Sequence, residues 1–310
     1  MHGTLVGIVG PTATGKTAVG IKLANRLDGE IISADSMAVY RGMDIGTAKP
    51  TREEQQSAKF HLIDVVDPNE EFSVADFTRL AEEAISDIIG RGNLPILVGG
   101  TGLYIRALTG RLNIPSAGPD WELRERLKSE AAQFGREQLH EKLREVDPIT
   151  AERLHPNDIN RIVRALEVYT LTGKPISYYH NTAGMREVDY HVNLYVLTMD
   201  REALYRNIEL RVDQQIADGL VDEVRGLLDK GYSPELPSMR GLGYKQIVGY
   251  LLGQYDLQSA IDLLKRDTRR FAKRQFTWFR AEPAVHWIRV DERGIDDVAK
   301  EIESLLKKKA

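Results

Sequence analysis

The segment that most constrains this chain is a glycine-rich turn close to its amino terminus. It reads Gly10, Pro11, Thr12, Ala13, Thr14, Gly15, Lys16 and Thr17, which fits the pattern G-x-x-x-x-G-K-[ST]. The apolar residues 5–9 before the turn predict a strand, and residues 18–27 after it predict a helix. Such a turn points its backbone N–H groups at one site, which the positive end of the helix and the Lys16 ammonium also face. The pattern therefore predicts a polyphosphate site, in which the Thr17 hydroxyl is offered to a divalent cation.

Length and composition favour a globular protein without membrane attachment. The chain has 310 residues, enough for one large α/β domain with an insertion or for two smaller domains. It contains no cysteine, which excludes disulfides and thiolate metal sites, and its seven histidines form no ligand motif. No leader-like segment and no apolar run of about 18 residues is present, so we expect a cytoplasmic protein. The net charge of −4 argues against polyanion binding by the whole surface but allows a local basic surface.

Strand-like and helical patterns alternate along the first hundred residues, which is typical of a parallel sheet flanked by helices. The predicted strands are residues 5–9, 29–33, 61–66, 96–98, 190–199 and 285–290. The predicted helices are residues 18–27, 73–89, 120–134, 136–146, 157–172, 201–230, 243–252 and 257–280. We therefore predict an α/β fold: a P-loop-containing parallel sheet flanked by helices, with a mostly helical inserted domain. The catalytic core would comprise residues 1–115 and 190–310, and the insertion residues 116–189.

Two polar residues are predicted to follow strands at the same edge of the sheet as the glycine-rich turn. Asp35 comes where the second predicted strand ends, and Thr101 lies in the glycine-rich segment after residues 96–98. Ligands bind beyond the carboxyl ends of parallel strands, so both should face one crevice. The Asp35 carboxylate could accept a proton from a nucleophile or join a magnesium shell, and its alternative role is to cap the following turn. For Thr101 the alternative is a strand-end turn without function.

Longer motifs along the chain resemble those of one enzyme family. They are residues 10–17, IISADSMAVYRGMDIGTAKP at 31–50, HLID at 61–64, GGTGLY at 99–104, DP at 147–148, HPND at 155–158, Arg161 with RALEV at 164–168, TGKP at 172–175, residues 241–246, and TRRFAKRQFTWFR at 268–280. In this order they resemble the tRNA dimethylallyltransferase family over nearly the whole chain. The departures are small: Ala13 and Thr14 stand where the family often has Ala-Ser, and Ala38 where it often has glutamine or leucine.

The resemblance implies a reaction and a role for each motif residue. A dimethylallyl group would pass from dimethylallyl diphosphate to the exocyclic N6 amine of the adenosine 3′ of the anticodon, in tRNAs that read codons beginning with U. Residues 10–17 would bind the diphosphate with help from Arg211, and Mg²⁺ would bind at Thr17. Asp35 would deprotonate the amine and Thr101 would contact the reacting centre.

The family also implies a tRNA surface, for which the sequence has evidence of its own. Residues 265–280 hold seven basic side chains and one acidic side chain, which is suited to contact with phosphates. The residues expected to contact tRNA are Asp35, Ser36, Met37, Ala38, Thr101, Asn160, Arg161, Ile162, Val163, Arg164, Arg240, Gly241, Leu242, Gly243, Tyr244, Lys245, Arg270 and Arg274. We expect a monomer that binds the anticodon stem-loop.

Three other functions compete with this interpretation. An adenylate isopentenyltransferase would perform the same transfer on a free nucleotide, but a small acceptor needs neither a basic helix nor a large insertion. A P-loop small-molecule kinase is disfavoured because Gly99, rather than an aspartate, follows residues 96–98, so no Walker-B magnesium ligand is evident. A non-catalytic RNA-binding protein would not need Asp35 beside a phosphate-binding turn.

Overall fold

One parallel sheet of six strands forms the centre of the computed structural model, which describes residues 3–113, 115, 118–181 and 187–308. The strands are β1 (Gly3–Val9), β2 (Gly29–Ala34), β3 (Phe60–His61), β4 (Leu94–Gly99), β5 (Tyr190–Thr198) and β6 (Val285–Arg289). Their order across the sheet is β3-β2-β4-β1-β5-β6, and every neighbouring pair is parallel. The central strands are largely apolar because helices cover both faces of such a sheet. The predicted α/β class is confirmed.

The described residues contain fourteen helices. They are α1 (Lys16–Arg26), α2 (Arg52–Ser57), α3 (Val74–Gly90), α4 (Gly102–Leu108), α5 (Trp121–Phe134), α6 (Arg136–Val146), α7 (Pro148–Arg153), α8 (Ile159–Thr172), α9 (Ile176–Asn181), α10 (Arg201–Ala217), α11 (Leu220–Asp229), α12 (Tyr244–Leu251), α13 (Leu257–Arg280) and α14 (Ile295–Lys307). Side-chain caps fix several starts, such as the capping box of Ser73 and Asp76 at α3. No helix of the described ranges is long and apolar enough to cross a membrane.

The chain divides into two compact units. The first, Met1–Ile105 with Asp189–Ala310, contains the sheet, and its core includes Val6, Leu23 and Tyr195. The second unit, Arg106–Val188, is helical and has a separate apolar core. That core is built from α5, α6, α7 and α8.

Two predicted elements are wrong in extent. The strand predicted at residues 61–66 ends at His61, because Leu62 (φ +62°) and Asp64 (φ +56°) take left-handed backbone conformations that leave the sheet. The helix predicted at residues 201–230 is two helices, α10 and α11. Gly219 separates them with φ of +99°, a conformation that a continuous helix does not contain.

Candidate active site

The predicted polyphosphate turn, residues 10–17, joins β1 to α1 and is named the phosphate loop below. Its last turn residue, Gly15, has φ of +80°, which favours glycine because a Cβ is disfavoured there. Gly15 is also the N-cap of α1, and no side chain caps this helix. The first N–H groups of α1 therefore remain available to an anion, and the helix dipole favours one.

Two cationic side chains lie at the phosphate loop, one from the loop itself and one from α10. Lys16 is half-buried, and its Nζ donates to the carbonyl of Pro11 at 2.5 Å. Arg211 reaches the loop from α10, and its Nη1 donates to Thr12 Oγ1 at 3.3 Å. Burial, together with the charge of Arg211, lowers the pKa of Lys16 to about 7, although Asp35 acts in the opposite direction. An anion bound on the loop would raise that pKa again, because it favours the charged amine.

Asp35 and Thr101 lie at adjacent strand ends, as predicted. Asp35 follows β2 and Thr101 follows β4, its neighbour in the sheet. The Thr101 Oγ1 accepts the backbone N–H of Ser36 at 3.1 Å, which ties the two turns together. The Asp35 Oδ1 accepts the backbone N–H of Met37 at 2.9 Å, so this carboxylate does cap its own turn. Within the described residues its Oδ2 makes no hydrogen bond, which leaves that oxygen for chemistry.

Two adjoining cavities meet at these residues. The larger, of about 810 Å³, contains the phosphate loop with Lys16 and Thr17. The smaller, of about 460 Å³, is lined by Thr101 and by exposed arginines of α13. Asp35 and Arg211 line both cavities. A group held in one cavity and a group held in the other would therefore meet at Asp35.

Residues 44–50 form a wall of the larger cavity, and Glu223 of α11 holds one end of this wall. One Glu223 oxygen accepts the backbone N–H groups of Asp44 at 2.9 Å and Ile45 at 2.8 Å. The other accepts the N–H of Gly46 at 3.1 Å and the hydroxyl of Tyr244 at 2.7 Å. The sequence did not predict this role of Glu223. An acidic residue on a helix usually faces solvent, so its sequence context gives no sign of these partners.

Lys49 fixes the other end of the same wall. Its side chain is only 2% exposed, and its Nζ donates to Asp44 at 2.5 Å, to Asp64 at 2.6 Å and to the carbonyl of Tyr40 at 2.8 Å. A buried ammonium with three oxygen partners is satisfied and rigid. Lys49 and Asp64 lie within the motifs quoted for the family resemblance, but their pairing follows only from the fold.

The predicted tRNA residues of the sheet-containing unit divide into exposed and buried side chains. Exposed or half-exposed are Ser36, Met37, Arg240, Gly241, Leu242, Lys245, Arg270 and Arg274. Ala38 and Tyr244 are buried at 4% and 0% exposure, and Gly243 is buried as well. Low exposure favours supporting positions for Ala38, Gly243 and Tyr244, although Ala38 also lines the larger cavity, and contact of these residues with tRNA stays a prediction.

The helical unit presents fewer predicted tRNA side chains than expected. Asn160 and Arg161 are exposed on α8. Ile162 and Val163 are 0% and 2% exposed and their side chains belong to the apolar core of that unit, so their contact with tRNA stays a prediction. The reason for this burial is the helical period, which turns part of any five-residue stretch inward. Arg164 is half-buried, and its Nη1 donates to the fully buried Glu167 at 2.5 Å.

The basic helix α13 carries less free charge than its sequence suggests. Carboxylates of α10 pair with two of its cations: Asp213 with Lys265 at 2.6 Å and Glu209 with Arg269 at 2.7 Å. Asp267 pairs with Arg266 at 3.0 Å and lies 3.7 Å from Arg270. In the described part of the chain Lys273, Arg274 and Arg280 have no ion-pair partner. The uncompensated charge is thus concentrated in the second half of the helix.

Comparison with known proteins decides the family. A model of the IPP transferase family matches residues 38–282, and a model described as isopentenyl transferase matches residues 3–69. The chain belongs to the IPP transferase family. Among relatives, the tRNA dimethylallyltransferase of Heliobacterium modesticaldum is 55% identical over 284 residues, covering 92% of this chain and 89% of that protein. That of Pelotomaculum thermopropionicum is 52% identical over 301 residues, covering 96% and 95%.

Solved structures agree with this assignment to the IPP transferase family. The tRNA isopentenylpyrophosphate transferase of Bacillus halodurans is 45% identical with a TM-score of 0.73, covering 99% of this chain and 96% of that one. A eukaryotic dimethylallyltransferase, described as acting on tRNA, is 26% identical with a TM-score of 0.84. That match covers 99% of this chain and 80% of the eukaryotic chain.

The donor groups at the phosphate loop of this IPP transferase suit a magnesium ion that is carried by a diphosphate. Among the described residues no group of three or more histidine or acidic side chains could hold a metal. Thr17 lines the larger cavity, and its hydroxyl makes no hydrogen bond within the described ranges. Mg²⁺ usually keeps several waters and takes its other ligands from phosphates and one or two protein oxygens. A single hydroxyl beside a phosphate site fits that preference.

Proposed function

We propose that this IPP transferase moves a dimethylallyl group from dimethylallyl diphosphate to the N6 amine of the adenosine 3′ of the anticodon in tRNAs that read codons beginning with U. One observation carries the proposal: the cavity of the phosphate loop and the cavity beneath the basic helix α13 share Asp35. A donor that bears phosphates and an acceptor that belongs to RNA would meet at that carboxylate. The names of the relatives at about 50% identity support the same reaction.

The donor half of the reaction needs positive charge at the leaving group. The diphosphate would lie on the phosphate loop, where the N–H groups of α1, Lys16 and Arg211 face it. Breaking the allylic C–O bond leaves negative charge on the diphosphate and positive charge on the allyl carbon. Bound Mg²⁺, held by Thr17 and the diphosphate oxygens, would supply further stabilisation of the leaving group. Lys16 and Arg211 would stabilise the same developing charge.

The acceptor half needs a base beside a weakly nucleophilic amine. The N6 nitrogen would form its bond to the allyl carbon while its proton passes to the Asp35 Oδ2, the oxygen that makes no hydrogen bond in the described residues. The Oδ1 stays bonded to the N–H of Met37, which fixes the orientation of the carboxylate. Thr101, tied to Ser36, would position the amine. The products are the N6-substituted adenosine and free diphosphate.

The tRNA side follows from the distribution of charge. An enzyme that modifies a base must take that base out of its stack, which requires a grip on the flanking backbone. Exposed Arg270 and Arg274 line the same cavity as Asp35 and Thr101 and would hold phosphates next to the flipped adenosine. A free nucleotide would need no such row of cations, so RNA is favoured over AMP as the acceptor.

A transfer assay tests the proposal. Unmodified tRNA is incubated with the protein, Mg²⁺ and dimethylallyl diphosphate, and mass spectrometry follows the gain of one dimethylallyl group. The variant Lys16→Ala should bind the diphosphate weakly and transfer far more slowly, because it removes a charge that faces the leaving group. The matched control is Lys22→Ala, which removes an exposed lysine of the same helix whose partner is Asp296 at 3.4 Å. Equal rates in the two variants would remove the phosphate loop from the mechanism.

A further inference from the structure

Gln275 is a buried residue of α13 whose side-chain amide contacts two different turns at the carboxyl edge of the sheet. Its Oε1 accepts the backbone N–H of Thr12 at 2.9 Å, and its Nε2 donates to the carbonyl of Gly100 at 3.0 Å. The side chain is held at both ends, and the residue is only 7% exposed. One amide thus bridges the phosphate loop and the turn that carries Thr101.

One of the two bridged turns would bind the diphosphate, and the other is bonded to the turn that carries Asp35. Thr12 belongs to the phosphate loop, and its hydroxyl accepts from Arg211. Gly100 immediately precedes Thr101, which is bonded to the Asp35 turn through Ser36. The position of Gln275 therefore helps to set the distance between the diphosphate and the base.

The contact at Gly100 is so close that a side chain there would displace the amide of Gln275. A Cβ built on Gly100 would lie 2.3 Å from Gln275 Nε2 and 3.1 Å from the carbonyl oxygen of Gly10. The amide of Gln275 occupies the space that a side chain at residue 100 would need. A small shift of α13 would consequently reach the Thr101 turn, because closely packed contacts transmit displacement.

The helix that carries Gln275 also carries the basic side chains that line the smaller cavity. Arg274 is the preceding residue, and Arg270 lies in the turn before it; both are exposed. RNA phosphates at Arg270 and Arg274 would fix the segment of α13 that positions the Gln275 amide. We propose that Gln275 is a positioning residue that couples tRNA binding on α13 to diphosphate binding on the phosphate loop. The inference rests on the proposed function, since it requires both ligands.

Coupling of this kind is measured as a ratio of affinities. Calorimetry gives the Kd of inorganic pyrophosphate with Mg²⁺, in the absence and presence of saturating unmodified tRNA. For the unaltered protein we expect pyrophosphate to bind at least about fivefold more tightly with tRNA present, which is the lower range of allosteric coupling. Reciprocity requires tRNA to gain the same factor from pyrophosphate.

Two variants remove the bridge from opposite sides. Gln275→Leu deletes both hydrogen bonds, and Gly100→Ala displaces the amide from the other turn. In both variants the coupling ratio, which is the pyrophosphate Kd without tRNA divided by that with tRNA, should fall below about twofold. The Kd of tRNA alone should change less than threefold. The matched control is Gln258→Leu, which makes the same substitution at an exposed position of α13 and should keep the full ratio. A role in folding alone would lower melting temperature without changing this ratio.

Several outcomes would overturn the inference. They are an unaltered protein without coupling, a Gln275→Leu variant that keeps the ratio, and a Gln258→Leu variant that loses it as well. If Gln275→Leu does not fold, Gly100→Ala and Gln275→Glu carry the test, because the glutamate can accept from Thr12 but cannot donate to Gly100. A protein that binds neither tRNA nor pyrophosphate would instead contradict the proposed function.

Discussion

At the scale of single residues, Asp35 combines two roles in its two oxygens. The Oδ1 caps the turn through the N–H of Met37, and the Oδ2 has no partner in the described residues. Asp35→Asn keeps an acceptor for Met37 but removes the basic oxygen. We expect the single-turnover rate of transfer to fall by roughly 10²- to 10⁴-fold, the usual contribution of a general base.

The same variant separates catalysis from capping when its melting temperature is measured alongside the rate. Because the cap is retained, the loss of stability should stay below about 1 kcal/mol. The affinities for tRNA and for dimethylallyl diphosphate should change far less than the rate. A stable variant with a near-normal rate would contradict the assignment of Asp35 as the base.

The lowered pKa of Lys16 predicts a dependence of diphosphate affinity on pH. With a pKa of about 7 in the free protein, the ammonium loses its charge as the pH rises through neutrality. Binding of an anion requires the charged form, so the affinity should fall about tenfold between pH 6 and pH 8. Titration calorimetry at several pH values measures this fall.

The diphosphate also ionises in this pH range, so variants of Lys16 are needed to separate the titration of the lysine from that of the ligand. Lys16→Met keeps the ionisation of the ligand but removes that of the lysine, and its affinity should be low without a decline above pH 7. Lys16→Arg keeps a permanent charge and should also lack the decline. An identical pH profile in all three proteins would rule out titration of Lys16.

Which residues the sequence could predict depends on how far apart their partners are in the chain. Lys16, Asp35 and Thr101 are predictable because each follows a strand, and strand ends meet at one edge of a parallel sheet. Gln275 is not, because its partner Thr12 lies 263 positions away in the sequence. The burial of Ile162 is also missed when a motif is taken as a whole rather than by its helical period.

At the scale of elements, a buried carboxylate joins β2, β3 and the segment after α3. Arg91, His61, Asn93 and Lys59 donate to Glu30 and hold its pKa well below the usual range, against the effect of burial. A carboxylate with a depressed pKa stabilises the fold above its unfolded pKa of about 4.3. This contribution is lost as the pH falls further, because the unfolded chain then binds the proton more readily.

The variant Glu30→Gln tests whether the charged carboxylate stabilises the fold at neutral pH and loses this effect in acid. At pH 7 the variant should lose about 2 kcal/mol of unfolding free energy, the value of hydrogen bonds to a charged group. At pH 3 the difference from the unaltered protein should narrow by more than about 1 kcal/mol. Urea unfolding at both pH values measures this difference in unfolding free energy. The control is Glu53→Gln, which makes the same substitution at an exposed residue. A constant difference would contradict the role of the charge.

The basic residues of α13 differ in their ion pairing, and this predicts different effects on tRNA binding. Arg270→Ala with Arg274→Ala should weaken tRNA binding and reduce the slope of log K against log salt by about 1.5, as expected for two lost phosphate contacts. Lys265→Ala with Arg269→Ala removes equal charge from the same helix. Those cations already pair with Asp213 and Glu209, so the slope should hardly change. If the two double variants reduced the slope by the same amount, the result would contradict an RNA contact localised at Arg270 and Arg274.

Element boundaries show where sequence patterns reach their limit. The strands β1, β2 and β4 are largely apolar and end at or next to a glycine or another small residue, so they are predictable. The apolar residues 62–66 resemble a strand but leave the sheet through left-handed backbone at Leu62 and Asp64, which no periodicity reveals. Helix α2, begun by the capping box of Thr51 and Glu54, has no apolar face to reveal it.

At the scale of the whole molecule, the net charge of −4 says little about the partner. What matters is that a parallel sheet brings its strand ends to one edge, where the phosphate loop, Asp35 and Thr101 meet under α13. The fold class was predictable from the alternation of strands and helices. The placement of the two cavities on either side of Asp35 was not, because it depends on packing between distant parts of the chain.

The central claim is that the acceptor is an adenosine of tRNA rather than a free nucleotide. The most direct measurement supplies unmodified tRNA and excess AMP together with the protein, Mg²⁺ and dimethylallyl diphosphate, and maps the products by nuclease digestion and mass spectrometry. We predict one dimethylallyl group on the fragment that contains the adenosine 3′ of the anticodon, and unmodified AMP. Modified AMP, or a tRNA that remains unmodified at that adenosine, would contradict the account.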